Sequence, residues 1–148
     1  MRRPTGGDPN RKTLNLHHGV IVTDNFMEAV EKDGEWNLTS PSDNSVQKTV
    51  SARNLWIRML TARIETGEPY IIFIDAVNKA IPEWHKQENL TVKTSNLCSE
   101  ITLPTNEERT AVCCLSSVNL EKYDEWWQDS QFIEDIMLFL DNILSDFI

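Results

Sequence analysis

The fold is constrained most strongly by a helix pattern that leads, through a glycine and a proline, into a short apolar strand pattern. Ser51 can cap the helix, and Gly67 followed by Pro69 can end it. Tyr70–Ile74 is apolar on both faces, as strands covered on two sides are in parallel sheets. This succession predicts an α/β architecture. The helix should bury one stripe of residues spaced i, i+3, i+4, i+7: Ala52, Leu55, Trp56, Met59, Leu60 and Ile64.

Local signals predict further elements on either side of this unit. They are a strand at Gly19–Val22, a helix from Thr23 or Asp24 to about Lys32 that Gly34 stops, strands near Trp36–Thr39 and Val46–Val50 joined by a turn at residues 41–45, a short strand at Thr110–Leu115, and a last helix that begins near Ser130.

The domain organisation follows from the two ends of the chain. Residues 1–13 are polar and contain glycine and proline, so we expect a flexible lead-in before a domain that occupies residues 14–148. The apolar stripe of the last helix runs to Ile148 without a glycine or a polar cap. We therefore expect the chain to be an internal segment, so that 14–148 is a partial domain.

Composition excludes several classes of protein. The chain has 148 residues, 40% of them hydrophobic, and a formal net charge of -9, which disfavours binding to DNA or RNA. No apolar run approaches the roughly 20 residues needed to cross a membrane, and the N-terminus lacks the apolar core of a signal peptide. We expect a cytoplasmic protein whose three cysteines are free, catalytic or redox-active thiols.

The strongest chemical pattern is the spacing of Asn96, Cys98 and Glu100. In an extended segment these three side chains lie on one face, which then carries an amide, a thiol and a carboxylate. A neighbouring negative charge disfavours ionisation of a thiol, so the pattern does not suit a cysteine protease. It suits a thiol that loses a hydrogen atom, beside a carboxylate that acts as a base on a substrate hydroxyl.

Other polar and aromatic residues have simpler interpretations. An isolated Cys98 would be a small buried hydrophobe, and both Cys113 and Cys114 can be core residues. In a strand those two thiols point to opposite sides, so only one can share a site with Cys98. His17, His18 and His85 are expected to be surface or loop histidines, and Trp126 and Trp127 to be packing residues. Asp75 is either a functional group at the end of a strand or a cap of the following turn.

Three stretches of sequence resemble the large, catalytic subunit of aerobic class I ribonucleotide reductase. They are Ser95-Asn96-Leu97-Cys98-Ser99-Glu100-Ile101, Leu103-Pro104-Thr105, and Cys113-Cys114-Leu115-Ser116-Ser117-Val118-Asn119-Leu120, with support from Thr66-Gly67-Glu68-Pro69-Tyr70-Ile71, Asp75 and Asn78. The resemblance implies part of a ten-stranded α/β barrel, with the active cysteine on a loop through its centre.

The resemblance also implies roles for four residues. Cys98 is the thiyl radical that removes the 3′ hydrogen of the nucleotide, and Glu100 is the base on the 3′ hydroxyl. Asn96 hydrogen-bonds and positions the substrate. Cys113, which matches the family's Cys-x-Leu-Ser spacing, is one of two cysteines that reduce the ribose by forming a disulfide.

Cofactors and partners are implied in the same way. The segment binds no cofactor, a metal-containing small subunit supplies the radical, and an external thiol of the thioredoxin or glutaredoxin type restores the reduced state. The partners are the ribonucleotide substrate, the rest of the large subunit and the small subunit. No cysteine precedes Cys98, so the second reducing thiol is missing and the chain alone is expected to be inactive. Two alternatives stay open: a non-catalytic relic or binding module that associates with reductase subunits, and an unrelated thiol oxidoreductase using Cys113 and Cys114.

Overall fold

The computed structural model describes residues 16–147, which divide into two units, one ending at Thr105 and the other beginning at Asn106. The lead-in predicted at residues 1–13 lies outside the described residues. No helix within 16–147 has the length and apolar character needed to cross a membrane. The elements of the first unit are β1 Gly19–Val22, α1 Asp24–Glu31, β2 Glu35–Thr39, β3 Val46–Ser51, α2 Ala52–Thr66, β4 Tyr70–Phe73, α3 Ile74–Ala80 and α4 Glu83–Gln87.

The first unit is built on a parallel pair of strands. β1 lies beside β4 with Gly19 opposite Tyr70 and Val22 opposite Phe73, which confirms the parallel pairing expected from the apolar strand. Strands β2 and β3 form an antiparallel hairpin, as predicted. The α/β class is therefore confirmed, while the strands of residues 16–147 form two two-stranded sheets rather than a closed barrel.

Helix α2 has the two ends that the sequence predicts. The Ser51 side chain accepts a hydrogen bond from the Asn54 N–H, and Gly67 ends the helix in the left-handed conformation with φ 77°. Ala52, Met59 and Ala62 are buried. The predicted stripe was wrong at its C-terminal end, because Ile64 is 88% exposed.

The core of the first unit packs α1 and α2 against the two sheets. Buried side chains of Val22, Phe26, Val30, Ala52 and Met59 form one cluster. Thr23 caps α1 by accepting a hydrogen bond from the Phe26 N–H at 3.3 Å, as predicted. The left-handed residue after this helix is Asp33, with φ 52°, rather than the predicted stop residue Gly34.

Asp75 links α1 to α3 and acts as a cap. Its Oδ2 accepts a hydrogen bond from the backbone N–H of Asp24, the first residue of α1, at 2.7 Å. Lys79 lies 2.6 Å from the Asp24 carboxylate, and this hydrogen bond raises the pKa of the lysine. Of the two interpretations that the sequence left open for Asp75, the structure supports the cap, though at the start of α1 and not on the turn that follows β4.

Asn78 fixes the irregular segment that follows α4. Its side-chain Oδ1 accepts from the Val92 N–H at 2.8 Å, and its Nδ2 donates to the Val92 carbonyl at 3.0 Å. The Val92 residue is only 1% exposed, so these bonds satisfy backbone groups that water does not reach. One side chain of α3 therefore holds the irregular stretch that leads into the Asn96–Glu100 segment.

The second unit contains a 3-10 turn at Leu120–Lys122, α5 at Tyr123–Trp126 and α6 at Phe132–Phe147. The strand predicted at Thr110–Leu115 was wrong, since residues 110–119 have no regular secondary structure. Trp126 stacks on Phe132 with ring centroids 5.4 Å apart, which confirms a packing role for that tryptophan. Trp127 stacks on Tyr123 and remains half exposed.

Replacing Gly67 by alanine tests the left-handed end of α2. A Cβ added at Gly67 meets no atom within 4 Å, so the loss of stability comes from backbone strain alone and not from a steric clash. We expect Gly67→Ala to lower the free energy of unfolding by about 1 kcal/mol in urea titrations. Gly19→Ala is the matched control, because it also meets no atom and its φ is not positive. Equal losses of unfolding free energy in Gly67→Ala and Gly19→Ala would contradict the view that the left-handed conformation of Gly67 causes the strain.

Replacing Asn78 by alanine tests the anchor of the loop. The change leaves the buried N–H and C=O of Val92 without partners, so we expect a loss of about 1–3 kcal/mol in the free energy of unfolding. Hydrogen exchange of the Val92 amide should accelerate in the same variant. Asn37→Ala, which removes an exposed cross-strand hydrogen bond to Thr49, is the control and should cost less than about 0.5 kcal/mol. An unchanged rate of hydrogen exchange at the Val92 amide in Asn78→Ala would contradict the proposed role of Asn78 in holding the loop.

Candidate active site

The segment that carries the three clustered polar residues is a turn, not the extended segment in which alternation would put their side chains on one face. Leu97 and Cys98 are the central residues of a four-residue turn in which the Ser99 N–H donates to the Asn96 carbonyl at 3.2 Å. Ser99 has φ 70°, in the left-handed region. Alternation of faces therefore does not apply here, and the turn itself brings Asn96 and Glu100 together.

The side chain of Asn96 organises this turn. Its Nδ2 donates to Glu100 Oε1 at 2.7 Å, while its Oδ1 accepts from the backbone N–H of Ile101 at 3.0 Å. Because one end of the amide meets a donor and the other meets an acceptor, this network fixes which end is oxygen. The backbone N–H of Asn96 also donates to the Ile101 carbonyl at 3.2 Å. Glu100 thus has a fixed carboxylate position, set by a neutral partner.

The thiols lie in both units. Cys98 is exposed at the tip of the Asn96–Ser99 turn, so it is not the small buried hydrophobe of the simpler interpretation. Cys113 is exposed and Cys114 half-buried in the second unit, and all three thiols are free. Since residues 110–119 form no strand, the argument that Cys113 and Cys114 must face opposite sides loses its basis. The preference for Cys113 then rests on the resemblance alone.

A pocket of about 240 Å³ adjoins the turn. One wall consists of residues just before and within β1 and β4, including His17, His18 and Tyr70. The other wall is the stretch from Thr94 to Ser99, to which Cys98 belongs without itself lining the pocket. Asn96 therefore connects the pocket with Glu100 through its side chain.

Two histidines of the pocket share one buried carboxylate. The Glu68 side chain is 9% exposed, and its Oε2 lies 3.0 Å from His18 Nδ1. Its Oε1 lies 3.5 Å from His17 Nδ1. The simple interpretation of these histidines as loop residues overlooked this cluster, because a separation of 50 positions between His18 and Glu68 leaves no local signal. The register of β1 against β4 is the information that joins them.

His85 is also placed differently from the surface position that the sequence suggested. It is 5% exposed on α4, and its Nδ1 has no hydrogen-bond partner among residues 16–147. The Trp84 ring lies against it, with centroids 3.6 Å apart. In the same range of residues, no three side chains of His, Cys, Asp or Glu are grouped as a metal site requires.

Comparison with known proteins identifies the family of this chain. The model of the ribonucleotide reductase barrel domain matches residues 1–146. A putative ribonucleoside-diphosphate reductase large subunit of Frog virus 3 (isolate Goorha) is 53% identical over 148 residues, which cover 100% of this chain and 26% of the relative. The ribonucleoside-diphosphate reductase large subunit of Invertebrate iridescent virus 3 is 36% identical over 200 residues, covering 99% and 32%.

The fold is similar as well. A solved structure, the class Id ribonucleotide reductase alpha subunit of Actinobacillus ureae, matches with a TM-score of 0.67 and 37% sequence identity, over 88% of this chain and 22% of that one. The chain spans 26% and 32% of the length of the two viral relatives. It therefore belongs to the family of ribonucleotide reductase large subunits, and the region that it matches is their barrel domain.

Proposed function

We propose that this chain is the part of a ribonucleoside-diphosphate reductase large subunit that carries the reacting groups, and that the subunit reduces ribonucleotides to deoxyribonucleotides by thiyl radical chemistry. The observation that carries the proposal is the turn in which Asn96 holds Glu100 at 2.7 Å with an exposed Cys98 between them. A thiol, a carboxylate and an amide in one turn supply the three functions that the reaction needs.

Each side chain of the turn has one proposed role. Cys98, as a thiyl radical, takes the hydrogen atom from the 3′ carbon and becomes a thiol, leaving the unpaired electron on the substrate. Glu100 accepts the proton of the 3′ hydroxyl. Asn96 positions the substrate, and its contact with Glu100 keeps the base beside the thiol. Exposure of Cys98 and Glu100 leaves both within reach of a bound nucleotide.

Reduction of the ribose needs two electrons, which two thiols supply as they lose two protons and join in a disulfide. Cys113 is the proposed donor of one thiol, and a cysteine outside this chain gives the other. An external thiol of the thioredoxin or glutaredoxin type then reduces the disulfide. A metal-containing small subunit supplies the radical, and the segment itself binds no cofactor. The chain by itself is accordingly proposed to be inactive, and its compartment to be the cytoplasm, where thiols stay reduced.

The proposed architecture of the intact domain is the ten-stranded barrel. In this arrangement β1 and β4 are neighbouring strands of the barrel wall, and the segment that Asn78 anchors enters the centre. The parallel register of the two strands supports the proposal, since an α/β barrel needs such pairs. The pocket between the strand residues and the Thr94–Ser99 stretch is then part of the barrel interior.

Substitutions in the turn test the radical mechanism in a full-length subunit assembled with its small subunit. Cys98→Ser should abolish formation of deoxyribonucleotide, because the O–H bond of serine is stronger than the S–H bond of cysteine. Glu100→Gln should slow turnover by about 10²–10⁴-fold, the usual cost of losing a general base. Glu83→Gln, an exposed change on α4, is the control and should leave turnover intact. Full activity of Cys98→Ser would favour the alternative of a non-catalytic binding module.

The two adjacent thiols provide a separate test. Cys113→Ser should block formation of deoxyribonucleotide, the first turnover included, because the two electrons of the thiol pair are no longer available, while Cys98 can still start the reaction on bound substrate. Cys114→Ser should leave most of the turnover. Product formed per subunit, measured in single- and multiple-turnover assays, distinguishes the two variants. If Cys114→Ser is as damaging as Cys113→Ser, the assignment of the reducing thiol is wrong.

A further inference from the structure

The second unit carries two adjacent thiols, and the function proposed above uses only one of them. Cys113 and Cys114 are both free, and Cys114 has no role in the proposed reduction of the ribose. We propose that the two residues form one site of reversible oxidation by peroxides, at which Cys114 captures oxidised Cys113 in a disulfide between neighbours in the chain. The reactivity of this pair does not depend on the radical mechanism.

The exposure of the two thiols separates their roles. Cys113 is exposed, whereas Cys114 is half-buried. Oxidation of a cysteine by peroxide depends on access to its sulfur, so Cys113 is the residue that reacts first. Cys114 is partly covered and stays reduced, while a single peptide bond keeps it beside the oxidised residue. An accessible thiol next to a second, resolving thiol is typical of sites whose oxidation stops at a disulfide.

The backbone around the pair leaves room for the sulfurs to meet. In a strand the two side chains would point to opposite sides, but residues 110–119 have no regular secondary structure. Within residues 16–147, no backbone N–H or carbonyl of residues 111–118 makes a hydrogen bond to another main-chain group. Rotation of the backbone at Cys113 and Cys114 therefore breaks no ladder of hydrogen bonds.

A disulfide between neighbouring residues is strained, and the strain makes it easy to reduce. Consecutive Cα atoms lie about 3.8 Å apart across a trans peptide bond. Ordinary disulfides join Cα atoms at about 4.4–6.8 Å, and departures from that geometry make the bond more reducible. The disulfide of Cys113 and Cys114 is thus of the labile kind that an external thiol opens, and not of the kind that stabilises a fold.

The oxidation proceeds in two balanced steps. The Cys113 sulfur attacks one oxygen of hydrogen peroxide, the O–O bond breaks, and the products are a sulfenic acid and one water. The Cys114 sulfur then attacks the Cys113 sulfur, so that an S–S bond forms and the S–O bond breaks. The hydroxyl group leaves with the Cys114 proton as a second water. Two molecules of an external thiol reverse the change by exchange and leave as their own disulfide.

The closed disulfide protects Cys113 from damage that cannot be repaired. A sulfenic acid without a neighbouring thiol is oxidised further to sulfinic and sulfonic acids, which ordinary thiols do not reduce. If Cys113 donates electrons to the ribose, as proposed above, the closed pair also suspends that reaction until a thiol reopens it. This consequence alone rests on the proposed function.

Mass spectrometry of the folded 148-residue chain tests the proposal without any turnover. Trypsin cleaves after Lys93, Arg109 and Lys122, so both thiols of the pair lie in peptide 110–122 and Cys98 lies in peptide 94–109. After treatment with hydrogen peroxide and alkylation, we expect peptide 110–122 to carry no alkyl group and to be lighter by two hydrogen atoms. Dithiothreitol should restore two alkylatable thiols. A disulfide between the two peptides, or a pair that stays fully alkylatable while Cys98 is oxidised, would overturn the proposal.

Two serine variants identify the residue that captures Cys113. Cys114→Ser should lower the amount of Cys113 thiol recovered with dithiothreitol several-fold, because sulfinic and sulfonic acids accumulate in peptide 110–122. Cys98→Ser is the matched control and should leave disulfide formation within the pair unchanged. Equal recovery of Cys113 thiol in Cys114→Ser and the wild type would overturn the role of Cys114. Because masses and not turnover are read, a failure of the radical mechanism would not alter these results.

Discussion

The parallel register of β1 and β4 is the constraint on which both ends of the first unit depend. Gly19 lies opposite Tyr70, and the Tyr70 N–H donates to the His18 carbonyl at 2.8 Å, which extends the ladder by one residue. The residues before the two strands are thereby brought together, and Glu68 meets the histidine pair. At the opposite end, the same register brings Asp75 within 2.7 Å of the first N–H of α1.

The reactive turn depends on a different kind of contact. Between α4 and Thr105, the backbone forms no regular helix or strand in the structure, so side chains supply the hydrogen bonds that fix it. Asn78 binds both backbone groups of Val92, and Asn96 binds Glu100 and Ile101. Asparagine suits both positions because its side chain carries a donor and an acceptor on one planar group. Irregular backbone is held in this way without a ladder of strands.

Elements with local signals were predictable from the sequence. Helix α2 has its cap at Ser51 and its left-handed stop at Gly67, and both are short-range features of the chain. The hairpin and β1 were predicted for the same reason. The predicted burial of Ile64 was wrong although Ala62, in the same turn of α2, is buried, so a correct period does not ensure burial at every position of the stripe.

Features that depend on contacts between distant segments were not predictable. The Glu68 cluster joins residues separated by 50 positions, and only the strand register reveals it. For the Asn96–Glu100 segment the sequence suggested that the side chains of Asn96 and Glu100 lie together, which is correct. The reason given, alternation in an extended segment, was wrong, because a turn brings them together. A left-handed Ser99 lets the chain reverse, and the Asn96 side chain satisfies the groups that a strand would have paired. Thr110–Leu115 is apolar enough for a strand, but within residues 16–147 no neighbouring strand pairs with it.

The two walls of the pocket differ in the kind of contact that holds them in place. The strand wall is fixed by the β1–β4 ladder and by a carboxylate buried behind two imidazoles. The turn wall is fixed by a few side-chain hydrogen bonds and keeps Cys98 and Glu100 exposed. The strand wall is therefore the part of the pocket that regular backbone pairing holds in place. Changes in the turn should act on the rate, because displacement of the reacting groups by about 1 Å is enough to slow a reaction greatly.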